Sequence, residues 1–212
     1  MITTKKKKTT TNTWYDGQRS MKYRLIIIII ILLSSPTFYF LYFLYFQDME
    51  YSGIAGDPKF VNVALKFAYG SDSEKIADGR IAGVQALSGT GGLRVMGELL
   101  RKHGHTQIYV PNPTWGNHIP IFQNSGLEVK KYAYYDAETS SLDFDGLVKD
   151  FQEIPEGTAV LLHACAHNPT GMDPTLEQWK HISDIMKQRN LLPFFDCAYQ
   201  GFVRAIWDMR LC

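Results

Sequence analysis

Two short apolar runs, residues 158–163 and 191–195, bracket a segment of helical spacing, and this arrangement constrains the fold more than any other feature. A strand that is apolar at nearly every position must be covered on both faces. Between the two runs, Leu176, Trp179, Ile182 and Met186 recur along one helical face. Thr175 and Gln178 have the spacing of a capping box, although Asp173-Pro174 offers a competing start. Strand, helix and strand in that order specify a parallel sheet flanked by helices. Pro193 is a local conflict, because proline removes a donor from the ladder.

The same rhythm extends upstream. Asp57-Pro58 supplies a helix cap and a first-turn proline, with Phe60, Val63, Ala64, Phe67 and Ala68 as the apolar face and Gly70 as the stop. Residues 81–87 read as a strand running into Ser88-Gly89-Thr90-Gly91-Gly92, after which Leu93, Met96 and Leu100 restart helical spacing. Residues 107–110 form a short apolar strand closed by Pro111-Asn112-Pro113. Residues 128–134 read as extended, and residues 144–151 as a helix with Leu147 and Val148 inward.

The two ends differ from this middle. Residues 1–24 are a polar, basic leader, and residues 25–46 carry no charge, which is enough for a membrane-crossing helix of about 20 residues. Six consecutive isoleucines and the Pro36 break fit a mis-joined gene model equally well. A genuine anchor would make the membrane a partner and the localisation. Residues 48–202 are the domain proper, and residues 203–212 form an aberrant tail. A formal net charge of +1 gives no electrostatic basis for a nucleic-acid partner. Three scattered cysteines give no disulfide framework.

Chemistry-bearing residues collect where strands end, the position at which open α/β sheets hold ligands. Ser88, Gly89 and Thr90 open a helix with small residues and two hydroxyls, which suits phosphate but also an ordinary glycine-rich turn. Asp196 ends an apolar run, where a carboxylate needs a cationic partner or else serves as a helix cap. Tyr199 follows three residues later. Trp115 offers a flat face for a heteroaromatic ring or for the core. His163, Cys165 and His167 share alternate positions, but no fourth ligand at suitable spacing supports a zinc site, and no metal is expected. Asn168 presents an amide in the turn that follows.

Taken in order, EYSGIAGDPKF, VQALSGTGGLRV, PTWGNH, KYAYYDAETSSLDF, LLHACAHNPTG and PFFDCAYQGF resemble the aspartate aminotransferase family of pyridoxal 5'-phosphate (PLP) enzymes, with EYSGIAGDPKF similar to its mitochondrial-type or plant-like branches. The resemblance implies a partial PLP-dependent transferase large domain, α/β, with a mostly parallel sheet. By the same resemblance Ser88, Gly89 and Thr90 hold the cofactor phosphate and Trp115 stacks on its ring. Asp196 pairs with the ring nitrogen, Asn168 and Tyr199 bond the phenolic oxygen, and His118 and His163 support Asp196 from behind. Amino-acid and 2-oxo-acid substrates, a homodimer, and a mitochondrial or cytoplasmic location are implied as well.

Departures accompany the matches. The family's Schiff-base lysine lies beyond the AYQGF string, whereas the last lysine here is Lys187, so no catalytic residue is assigned. The distal arginine that clamps the substrate carboxylate is likewise unmatched. The expectation is an aminotransferase chain impaired in catalysis, whose apolar edges and faces drive aggregation. The alternative is a membrane-tethered, non-catalytic relative that binds PLP or full-length subunits. A metal- or nucleotide-binding α/β domain is the remaining reading.

Overall fold

The computed structural model describes residues 50–202. The leader at 1–24, the apolar segment at 25–46 and the tail at 203–212, with the expectations attached to them, lie outside the described residues. Among the described residues no helix is long and apolar enough to cross a membrane.

The element order is α1 (Pro58–Tyr69), α2 (Glu74–Ala77), α3 (Ser88–Lys102), β1 (Gln107–Asn112), α4 (His118–Asn124), β2 (Glu128–Ala133), β3 (Tyr135–Asp136), β4 (Ser141–Leu142), α5 (Phe144–Glu153), β5 (Ala159–His163), α6 (Leu176–Gln188) and β6 (Leu192–Asp196). Strands β2, β1, β5 and β6 lie side by side in that order, every pair parallel. The chain runs from β1 to β2 on one side and then crosses back to β5 and β6 on the other. The C-terminal ends of β1 and β5 therefore diverge at a switch point, the crevice in which such sheets hold ligands.

Alternation along the strands builds two cores. Val160 and Leu162 face α5 and α6, where they meet Leu147, Phe151, Trp179, Ile182, Ile185 and Met186. Ala159 and Leu161 face the other way, with Ile108 and Val110, toward Leu93, Leu100, Ile121 and Phe122 of α3 and α4. All five residues of β5 are buried, which is why the sequence there is apolar without a break. The Tyr132 hydroxyl donates to the Leu161 carbonyl at 2.8 Å, so a polar atom enters the core already satisfied.

Local signals explain most boundaries. The Asp57 side chain accepts from the Lys59 N–H ahead of α1, and Thr175 and Gln178 close a full capping box on α6. Asp173 does not start that helix. Its carboxylate accepts from the N–H groups of Ala166 and His167 at 2.7 and 2.9 Å and so clamps the loop after β5. Pro193 sits within β6, which is an edge strand. Leu192 donates to Thr158, so by alternation the nitrogen of Pro193 faces away from β5, where no ladder donor is lost.

Three expectations need correction. Residues 81–87 are not a strand, because no described strand pairs with them; Gln85 N–H donates to Ala55 O and Leu87 O accepts from Gly91 N–H, and neither bond belongs to a ladder. The covered side of α1 is not the one expected: Phe60, Val63 and Phe67 are exposed, while Val61 and Leu65 pack on Gly83. On α6, Leu176 is exposed and Ile185 takes its place in the core. The β3–β4 hairpin is an addition, its two-residue strands being too short to leave a periodic signal.

Candidate active site

The site begins with the loop after β1. Its Thr114 lies four residues before His118, at the start of α4, and its hydroxyl sits 2.7 Å from His118 Nδ1 and 3.3 Å from His163 Nε2 at the end of β5. His118 is fully buried, and its Nε2 lies 2.9 Å from the Asp196 carboxylate at the end of β6. The His118 and His163 rings meet edge to face with centroids 5.1 Å apart. At the other end of this chain the Asn168 N–H donates to His163 Nδ1 at 3.3 Å. Three strand ends and their loops are thus joined by one line of hydrogen bonds.

The direction of that line follows from its ends. A backbone N–H only donates, so His163 Nδ1 accepts. Burial foremost, and then the neighbouring His118, push the His163 pKa down to about 4 against the pull of Asp196, so the ring is neutral at pH 7. Its proton is on Nε2 and goes to Thr114. The threonine hydrogen then goes to His118 Nδ1, leaving His118 Nε2–H to donate to Asp196. Every polar atom along the line has one consistent role.

Asp196, His163, Trp115, Asn168, Tyr199 and Gly89 line one cavity of ≈ 170 Å³, together with Leu93, Cys165 and Ala198. Trp115 packs against the α3/α4 core and also forms part of the cavity wall. Asp196 caps none of the described helices. The Cys165 thiol, pushed up to about 11 mainly by burial, stays protonated and is no nucleophile at neutral pH. Among the described residues no lysine lines the cavity.

Helix α3 begins beside this cavity. Its N-cap, Leu87, provides no side-chain cap, so the first N–H groups, those of Ser88, Gly89 and Thr90, lack the usual intrahelical partners. Ser88 stands at φ 58°, a left-handed conformation in which a non-glycine residue is strained. Unoccupied donors and the positive end of a 15-residue helix together suit an anion. Ser88 and Thr90 are exposed at the mouth and do not line the cavity itself.

The third member of the histidine series does not join the site. Strand β5 ends at His163, so the alternation that would align His163, Cys165 and His167 stops there. His167 stacks on Tyr134 with centroids 3.9 Å apart, and its Nδ1 lies 2.8 Å from Thr170 Oγ1. Among the described residues no group of three or more His, Cys, Asp or Glu side chains could hold a metal ion. Sequence reasoning missed Thr114 and Asp173. The first has a signal, a hydroxyl one helical turn before a histidine, and the second has none apart from its carboxylate.

Comparison with known proteins follows this geometry. The family model for aminotransferase class I and II matches residues 47–209. Cytoplasmic aspartate aminotransferase from Oryza sativa subsp. japonica is 53% identical over 160 residues, covering 75% of this chain and 39% of that protein. Mitochondrial aspartate aminotransferase from Gallus gallus is 48% identical over 170 residues, covering 77% and 40%. An aromatic-amino-acid aminotransferase from Burkholderia pseudomallei, solved covalently bound to pyridoxal phosphate, superposes with a TM-score of 0.75 at 38% identity, covering 78% of this chain and 42% of that one. The chain therefore spans less than half the length of these relatives.

Proposed function

From the premise that this chain belongs to the class I and II aminotransferases, we propose that its cavity is a PLP site serving amino-group transfer between aspartate or glutamate and 2-oxoglutarate or oxaloacetate. The observation that carries this reading is the buried His118–Asp196 contact at 2.9 Å on the wall of the cavity. His118 occupies one side of a carboxylate whose remaining lone pairs are free to accept from a ligand. A carboxylate held in this way suits a protonated heteroaromatic nitrogen, and its side chain keeps 20% of its surface exposed to meet one.

The other residues fit the rest of the group. Trp115 provides a flat wall for the ring. Asn168 and Tyr199 line the cavity from two loops, and their amide and hydroxyl would bond a phenolic oxygen. The uncapped start of α3, with Ser88, Gly89 and Thr90, would receive the phosphate. When bound, PLP supplies an electron sink for carbon acids next to the amino group. The protein's part is to fix the ring and keep its nitrogen protonated. His118, Thr114 and His163 do this by holding Asp196 in one orientation, and Asp173 does it by fixing the loop that carries Asn168.

The residues that line the described cavity are suited to holding the cofactor. Relatives with cytoplasmic and with mitochondrial designations match it, and pairing into a dimer is proposed from the family resemblance alone. Equilibrium titration with PLP and with pyridoxal tests the site. PLP binding at least tenfold tighter than pyridoxal supports a phosphate seat at α3. Equal affinity for both would remove that seat from the proposal.

A further inference from the structure

His167 lines no part of the cavity, yet the loop after β5 is built around it. Its N–H donates to the Asp173 carboxylate at 2.9 Å, and its carbonyl accepts from Gly171 N–H at 2.7 Å. The residue before it, Ala166, stands at φ 49°, a strained setting that the same carboxylate holds by accepting from the Ala166 N–H. The buried His167 ring has Tyr134 stacked on it, centroids 3.9 Å apart and planes 17° apart, and His163 at 4.3 Å and 34°. Two rings so near cannot share one face, so His167 lies between them. Thr170 Oγ1, 2.8 Å from Nδ1, sets its rotation, while Nε2 has no partner. An unpartnered buried nitrogen is a cost, so the ring's contribution lies in its two faces. Burial first, then His163 and His118, push its pKa down to about 3, and at pH 7 it is an uncharged flat spacer.

His163 has two obligations that depend on one ring angle. Its Nδ1 must meet the Asn168 N–H, and its Nε2 must meet the Thr114 hydroxyl, each at 3.3 Å. A neighbouring ring at 4.3 Å leaves His163 little room to swing away from either. We propose that His167 is a positioning residue which, wedged between Tyr134 and His163, holds the His163 ring in the one setting that serves both Asp196 and Asn168. The consequence for the cofactor rests on the PLP reading; the wedge itself does not. Through Thr114 and His118 the wedge steadies the carboxylate meant for the ring nitrogen, and through Asn168 it steadies the amide meant for the phenolic oxygen. Its loss should loosen both contacts together and spare the phosphate seat, which lies on α3.

Two variants of the full chain test this: His167→Leu, which lacks flat faces, and His167→Phe, which keeps the faces without the nitrogens. In the absence of cofactor, the Asn168 amide should exchange hydrogen at least about tenfold faster in the leucine variant, with the Val160 amide of mid-β5 unchanged. The phenylalanine variant should stay within about threefold of the parent chain at Asn168. With cofactor, the parent should prefer PLP over an analogue lacking the phenolic oxygen and over one with carbon in place of the ring nitrogen. His167→Leu should lose about fivefold or more of each preference and keep the preference for PLP over pyridoxal. Tyr134→Leu removes the other side of the wedge and should give the same pattern, which covers a leucine variant at 167 that does not fold. Unchanged Asn168 exchange in the leucine variants, equal acceleration at Val160, equal damage by leucine and phenylalanine, or ring preferences that survive leucine would each overturn the proposal. A parent chain with no preference among the ring analogues would instead count against the PLP reading, with the wedge still decided by hydrogen exchange.

Discussion

Replacing Thr114 by valine removes one hydroxyl and nearly nothing else, and the site predicts a large cost for it. The hydroxyl receives the His163 Nε2 proton at 3.3 Å and gives its own to His118 Nδ1 at 2.7 Å. Valine has the same shape, so packing is kept, while a donor on His163 and an acceptor on His118 lose their partner. Both rings are buried, His118 completely. A buried polar group left unsatisfied costs about 1–3 kcal/mol, and the 3.3 Å contact is the weaker of the two. The expected loss is about 2–4 kcal/mol. Guanidinium unfolding at pH 7.5, followed by far-ultraviolet circular dichroism, measures it, with Thr114→Ser as the control that keeps the hydroxyl. A loss below about 0.5 kcal/mol for valine would show that the hydroxyl does not bridge the two rings. A serine variant as unstable as the valine one would point to packing in place of hydrogen bonding.

Other consequences can be measured on the same protein. Burial holds His163 at about 4 and His167 at about 3, both below the ordinary histidine value, so the unfolded chain takes up these protons first and stability should fall as pH drops from about 6.5 toward 4. Urea midpoints unchanged between pH 7.5 and 5 would contradict that. Tyr132→Phe leaves the ring in place and removes the 2.8 Å bond to the Leu161 carbonyl, so unfolding free energy should drop by about 1–2 kcal/mol. Gly97→Ala would place a Cβ 2.6 Å from Ser125 Oγ in the contact between α3 and α4, and a loss of about 1–3 kcal/mol is expected, with no loss refuting the close approach.

The sequence made the sheet legible because β5 and β6 are short apolar runs and α6 carries its own capping box, all of them local signals. It did not make residues 81–87 legible, because a strand exists only through its partner and no periodicity reports on whether a partner is present. The face of α1 was misjudged for a similar reason. Its apolar residues wrap around enough of the helix that Val61 and Leu65, rather than Phe60 and Val63, could be the ones covered. At the site, Trp115, Asn168, Asp196 and Tyr199 were readable as strand-end residues, and the structure brings them to one cavity. Thr114 and Asp173 were hidden because their roles are relational. One joins two histidines 45 residues apart in the chain, His118 and His163, and the other ties down a loop from seven residues away.

The central claim is that Asp196, oriented by His118, makes the cavity a seat for PLP. Titrating PLP into the chain and into Asp196→Asn, with Trp115 fluorescence as the signal and Trp115→Phe as the blank, tests it most directly. The asparagine keeps the size and an acceptor for His118 but cannot form a charge-assisted bond to a protonated ring nitrogen. At a value of about 1.5–3 kcal/mol for such a bond, affinity should fall by about 10–100-fold with the fold intact. Equal affinity in the two proteins, or no saturable binding to either, would contradict the account.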